Sequence, residues 1–150
     1  MGEVLPPVGG ETLSGKPAEL PAMGAGSSRI VVFSFSKAAS ADSKQWNERV
    51  AKDLGADSPA IVITAIVLEA VPRLFRGMAI SGIKSDMPRA LWDKTILVYK
   101  DEAAWKKRLA VSSDKHAYVL LLDGEGRARW MSSGAFTEAE YGRLRKQIPE

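Results

Sequence analysis

The sequence predicts one α/β domain, a mixed sheet of about five strands with helices on both of its faces. Two observations carry this. Apolar, β-branched runs at residues 30–35, 60–68, 95–99 and 117–122 alternate with segments of helical period. The chain then closes with a hairpin turn, Asp123-Gly124-Glu125-Gly126, and a helix that opens on its own cap. Folded by the right-handed crossover rule, this order gives one sheet with strands in the sequence 95–99, 61–68, 30–35, 117–122, 127–131.

Each element follows from its residues. Residues 1–28 are punctuated by Pro6-Pro7, Gly9-Gly10, Gly15, Pro17, Pro21, Gly24 and Gly26, too often for regular structure beyond one short edge strand. They read as an irregular arm ahead of a domain spanning residues 29–150. The run Ile30-Val31-Val32-Phe33-Ser34-Phe35 reads as a buried strand. Ser40-Ala41-Asp42-Ser43 offers capping side chains before Trp46, Val50 and Leu54, which share one helical face, and Gly55 supplies the stop. After Ser58-Pro59, residues 60–68 form a strand covered on both faces. Residues 71–83 form an amphipathic basic helix with Val71, Leu74, Phe75, Met78 and Ile83 as its apolar stripe, and Met87-Pro88 ends it. A short helix over residues 101–109 starts acidic and ends basic, matching the helix dipole. Thr137-Glu138-Ala139-Glu140 opens the last helix as a capping box, with Tyr141, Leu144 and Ile148 on its buried face.

Composition excludes several chemistries. The 150 residues contain no cysteine, which removes disulfides, thiolate metal ligands, CxxC exchange and cysteine nucleophiles. Net charge is only +3, yet residues 73–108 hold nine Lys or Arg against four acids. Such a basic middle third suits an acidic partner, anionic lipid or nucleic acid, although a solvated helix face also produces it. No apolar run reaches the ~20 residues of a membrane-spanning helix. Residues 1–28 carry neither a signal-peptide pattern nor an Arg-rich presequence. The Met1-Gly2 start is compatible with a removed targeting segment and leaves localisation open.

The segment Lys94-Thr95-Ile96-Leu97-Val98-Tyr99-Lys100-Asp101, with Ala117-Tyr118-Val119-Leu120-Leu121-Leu122-Asp123-Gly124 through Trp130, resembles the C-terminal half of peroxiredoxin-like and membrane-anchored thioredoxin-like proteins. A thioredoxin-like fold is the implied class. In those redox relatives the first turn carries CxxC and a cis-proline precedes the hairpin strand. The corresponding vestigial positions here are Ser40, Ser43 and Ala117. A narrower resemblance rests on Phe33-Ser34-Phe35-Ser36-Lys37 with Trp46, the helix at 74–83, Met87-Pro88-Arg89 through Trp92-Asp93-Lys94, and Gly126-Arg127-Ala128-Arg129-Trp130 with Ser133-Gly134. On these the chain is similar to the assembly-factor family for the membrane sector of mitochondrial ATP synthase, the ATP-ten family, with bacterial relatives. The resemblance implies a non-enzymatic role, binding a newly made hydrophobic membrane subunit. It also implies the mitochondrial inner membrane, matrix side, with a bacterial extracytoplasmic site as the alternative compartment.

No catalytic residue, cofactor or metal site is expected. His116 stands alone, without a serine or cysteine partner set by the sequence. One His, no Cys and scattered carboxylates give no ligand spacing. Ser40 and Ser43 with Lys37 and Lys44 admit a serine–lysine nucleophile, but helix capping is the simpler reading. Trp46, Trp92, Trp105 and Trp130 interleave with basic residues as on a nucleic-acid surface, yet they occupy elements that need core anchors, so nucleic acid is disfavoured. The candidate partner or membrane surface is Arg73, Leu74, Arg76, Met78, Lys84 and Arg89. The expected function is a non-catalytic, thioredoxin-fold assembly factor or chaperone. Two alternatives are a thioredoxin- or peroxiredoxin-group enzyme working without cysteine and an extracytoplasmic binding module.

Overall fold

The structure, a computed structural model, describes residues 3–4, 6–20, 22–54, 60–132 and 134–148. The expected helix stop at Gly55, the Ser58-Pro59 entry to the next strand, and Ser133 lie outside these residues. The chain forms β1 (Val8–Thr12), β2 (Pro17–Leu20), β3 (Ser28–Ser34), α1 (Ser40–Leu54), β4 (Ala60–Val67), α2 (Arg73–Asp86), β5 (Thr95–Val98), α3 (Glu102–Arg108), β6 (Tyr118–Leu122), β7 (Ala128–Met131) and α4 (Glu138–Gln147). Two short 3-10 turns, Lys37–Ala39 and Arg89–Lys94, lead into α1 and β5.

The sheet has seven strands, in the order β2-β1-β5-β4-β3-β6-β7. The five expected strands run as the crossover argument requires: β3 with β4 and β4 with β5 are parallel, and β6 lies antiparallel to β3 and to the edge strand β7. The two extra strands correct the five-strand expectation, and both come from the arm. β1 and β2 form an antiparallel hairpin that attaches to β5. Glycine, which argued against regular structure there, instead permits it. A Cβ on Gly10 would lie 2.0 Å from the Leu97 carbonyl oxygen, so only a residue without one lets β1 approach β5. The Tyr99 hydroxyl donates to Glu11 Oε1 at 2.8 Å and pins the same junction. Burial first, then this hydrogen bond to a carboxylate, pushes the Tyr99 phenol up to about 12.

Strand alternation divides the core between the two faces. Val31, Phe33, Ile63, Ala65, Ile96 and Val98 point to one face, where Trp105 and Leu109 of the α3 region cover them. Ile30, Val32, Val119 and Leu121 point to the other and meet Trp46 and Val50 of α1 and Tyr141 and Leu144 of α4. On that same face, nearer the β5 edge, Leu13, Leu68 and Leu97 are covered by Ile80 and Ile83 of α2. The N-cap bond of the expected box forms, the Glu140 N–H donating to Thr137 Oγ1 at 2.9 Å, while the Glu140 carboxylate accepts from Arg143 at 2.8 Å. The hairpin between β6 and β7 turns at Gly126, with φ +83°. There Asp123 Oδ1 accepts the N–H groups of Glu125 and Arg127 at 2.9 Å each. Burial pushes the Asp123 carboxyl up, but these two N–H donors and Arg129 outweigh it and hold the group below its usual range.

Candidate functional site

Two regions bear on function, the start of α1 and the outer face of α2. At the first, Ser40 and Ser43 do not precede the helix as caps. Both lie inside it, Ser40 exposed at its first position and Ser43 buried one turn later. The segment ahead is already helical, the 3-10 turn Lys37–Ala39, so no extended N-cap residue directly precedes α1. Lys44 turns to Glu48 at 3.9 Å and away from either serine.

The side chain that organises this region is Asp42. Its Oδ2 accepts the Ala117 N–H and its Oδ1 the Phe136 N–H, both at 2.8 Å. One buried carboxylate therefore ties α1 to the loop before β6 and to the loop before α4. The N–H it takes from position 117 is one that proline lacks. Around it, Asn47 Nδ2 donates to the Ser43 carbonyl at 3.0 Å and to Thr64 Oγ1 at 3.3 Å. The Ser36 hydroxyl donates to the Asp114 carbonyl, and half-buried His116 packs its ring on Tyr118, centroids 4.8 Å apart. Sequence reasoning saw Asp42 only as part of a capping stretch. An acid in the first turn of a helix gives no hint of which distant N–H groups it will meet.

The second region is α2, none of whose residues is fully buried. The single apolar stripe expected for it resolves into two opposed sets. Ile80 and Ile83, with Val71 just ahead, pack inward on the Leu13, Leu68 and Leu97 cluster. Leu74, Phe75 and Met78 point out, at 86%, 51% and 73% exposure, and are three of the four exposed large hydrophobics among the described residues. At 100° per residue Leu74, Phe75 and Met78 span about 100° of the helix circumference, on the side away from Ile80.

Of the six surface candidates, Arg73, Leu74, Met78, Lys84 and Arg89 are exposed, and Arg76 is not with them. Half-buried Arg76 donates through Nε to the Val71 carbonyl at 3.0 Å and packs its guanidinium 5.1 Å above the Tyr99 ring. It holds the turn into α2. Lys84 and Arg89 each pack against the Trp92 ring, 5.3 Å from its centroid. With Ser14 and Asp93 they line an open cleft of about 340 Å³. Phe75 and Trp92 are the members the sequence-based surface lacked. Helical arithmetic alone would have included Phe75.

The sequence model of the family described as ATP10 protein matches residues 3–150. The chain belongs to the ATP10 protein family. No curated protein matches it. Among solved structures, the ATP10 family chain is similar to the exposed lipoprotein thioredoxin Etrx1 of Streptococcus pneumoniae. That match has TM-score 0.64 and 14% identity, covering 95% of this chain and 100% of that one. It is similar to the thioredoxin domain of the thiol-disulfide oxidoreductase BVU-2223 from Bacteroides vulgatus, with TM-score 0.65 and 18% identity over 99% and 97% of the two chains. BsSco, of the Sco family of cytochrome c oxidase assembly proteins, matches with TM-score 0.63 and 10% identity over 97% and 92%. The fold of this ATP10 family member is thioredoxin-like. At these identities the likeness concerns the fold.

Proposed function

We propose that this ATP10 family protein is a non-catalytic assembly factor, or chaperone, for the membrane sector of an ATP synthase, acting by contact with a hydrophobic membrane subunit. The observation that carries the reading is the exposed set Leu74, Phe75 and Met78 on a helix whose opposite face is anchored to the core. Each such side chain gains about 1.5–3 kcal/mol on full burial, so a partner that covers all three is held by apolar contact. Family membership supports the choice of complex. The absence of any thiol, with Asp42 committed to two backbone N–H groups, supports contact in place of disulfide exchange.

The test is complementation of a strain lacking the gene, with assembled membrane sector measured by native electrophoresis. Wild type restores assembly; the variant Leu74→Ser, Phe75→Ser, Met78→Ser, folded to the same thermal midpoint, does not. Full assembly with that variant overturns the role of α2. Insulin reduction or peroxide turnover by the purified chain overturns the non-catalytic reading.

A further inference from the structure

We infer that the outer face of α2 is a lipid-binding surface that seats the domain on an anionic bilayer, with a phospholipid headgroup taken at the Trp92 cleft. The inference takes up the contact reading of α2 and is independent of which subunit the protein assists. Charge complementarity selects the occupant. α2 carries three cations, Arg73, Arg76 and Lys84, against one acid, Asp86 at its last position. Arg73 and Lys84, eleven residues apart, fall about 20° from each other around the axis, so the exposed cations of the helix share one flank of the apolar set.

Beyond the end of that helix stands the arrangement of an interfacial anchor: Trp92, half-buried, with Lys84 and Arg89 each 5.3 Å from its ring centroid. The Trp92 Nε1 donates to the Met87 carbonyl at 3.1 Å, which fixes the ring as a wall of the cleft. Asp93, the acid in the cleft lining, is engaged by the Ser14 hydroxyl at 2.5 Å and by Lys16 at 3.6 Å. The Ser14 hydrogen bond first, and then Lys16, hold its carboxyl below the ordinary range. Lys84 and Arg89 make no ion pair among the described residues and remain available for a phosphate diester. Leu74, Phe75 and Met78 stand exposed on the outer side of α2, which suits shallow insertion between headgroups and acyl chains. No helix among the described residues is long and apolar enough to cross a membrane.

Vesicle sedimentation tests this with the intact protein. It binds vesicles containing about 30 mol% phosphatidylglycerol and releases from pure phosphatidylcholine, because each Lys or Arg near an anionic surface contributes roughly fivefold. Arg73→Gln with Lys84→Gln lowers the partition roughly 25-fold by the same rule. The Leu74→Ser, Phe75→Ser, Met78→Ser variant loses binding at unchanged thermal midpoint. Because the chain has no cysteine, a fluorophore on Met78→Cys reports one position. Its emission shifts blue on anionic vesicles, whereas the same label on Lys107→Cys, exposed on α3 across the sheet, does not. Vesicle binding that survives the triple serine variant overturns the inference. So does an absence of vesicle binding by the intact protein; capture of a detergent-solubilised membrane-sector subunit through the same three residues would then show that the face takes protein. Intact vesicle binding with no effect of the gene on ATP synthase assembly would sink the proposed function and leave the lipid surface standing.

Discussion

The Asp42 carboxylate accepts the backbone N–H of Ala117 at 2.8 Å, joining the first turn of α1 to the loop before β6 across 75 residues of sequence. The pairing makes both residue identities physically interdependent. With proline at 117 the carboxylate loses a donor; without the carboxylate, the N–H groups of Ala117 and Phe136 lose their acceptor. Hydrogen bonds to a charged group are worth about 1.5–3 kcal/mol each. We expect Asp42→Ala to cost about 3 kcal/mol, lowering the thermal midpoint by roughly 10 °C. Asp42→Asn keeps one acceptor oxygen and costs about half as much. Equal midpoints for Asp42→Ala and wild type would remove the carboxylate from the account of the fold.

The approach of β1 to β5 rests on Gly10. A methyl group there meets the Leu97 carbonyl at 2.0 Å, and strand β1 must shift away. Gly10→Ala is expected to cost about 1–3 kcal/mol, with the loss localised. Hydrogen exchange should speed up across residues 8–20 while β3 and β6 stay protected.

The end of α3 offers a stabilising change. Ala110 has φ +53°, its N–H donates to the Lys107 carbonyl at 3.2 Å, and the Val111 N–H donates to the Lys106 carbonyl at 2.9 Å. This is a Schellman closure with alanine where glycine is unstrained. Ala110→Gly should raise stability by about 0.5–1 kcal/mol in urea titration, and Ala110→Val should lower it.

Arg73 and Arg76 should separate cleanly by calorimetry. Arg73 is exposed, and Arg73→Ala is expected to change stability by no more than about 0.5 kcal/mol. Arg76→Ala gives up two carbonyl contacts and the Tyr99 ring and should cost about 1–2 kcal/mol. Reversing both charges together therefore confounds binding with folding.

Alkaline pH acts on the β1–β5 junction. The folded phenol of Tyr99 stands at about 12, above the ordinary value near 10, so between those limits the folded chain holds a proton that the unfolded chain has lost. Stability is fully present below about pH 10 and falls as pH rises toward 12. Tyr141, raised by burial and by its 2.5 Å hydrogen bond to Asp53, adds to the same decline. Tyr99→Phe should flatten part of the alkaline limb in pH-dependent melts; an unchanged limb contradicts this.

Strands β3, β4, β5 and β6 were legible because each is a contiguous apolar run, and a parallel pair covered on both faces leaves that mark, while β7, which holds Arg129, was legible from the hairpin turn before it. The N-cap bond at Thr137 was legible for a similar reason, its partners being three residues apart. The β1–β2 hairpin was not, since a strand that must admit another backbone closely does so through glycine, the residue that ordinarily signals a break. The α2 stripe was half legible. Its spacing revealed a helix, but Leu74 and Ile83 are both apolar, and only the position of the sheet decides which one it covers. Asp42 was the least visible, because its acceptors' partners lie at residues 117 and 136 and meet it through tertiary structure alone.

The division of α2 into an anchored side and an open side has an evolutionary consequence. Substitutions at Leu74, Phe75 and Met78 leave the core contacts of Ile80 and Ile83 untouched, so recognition can drift without drawing down foldedness. A saturation library selected only for soluble expression should tolerate nearly every residue at those three sites and few polar ones at Ile80 and Ile83. Under the proposed contact role, the residues that would meet a partner are thereby those the fold constrains least.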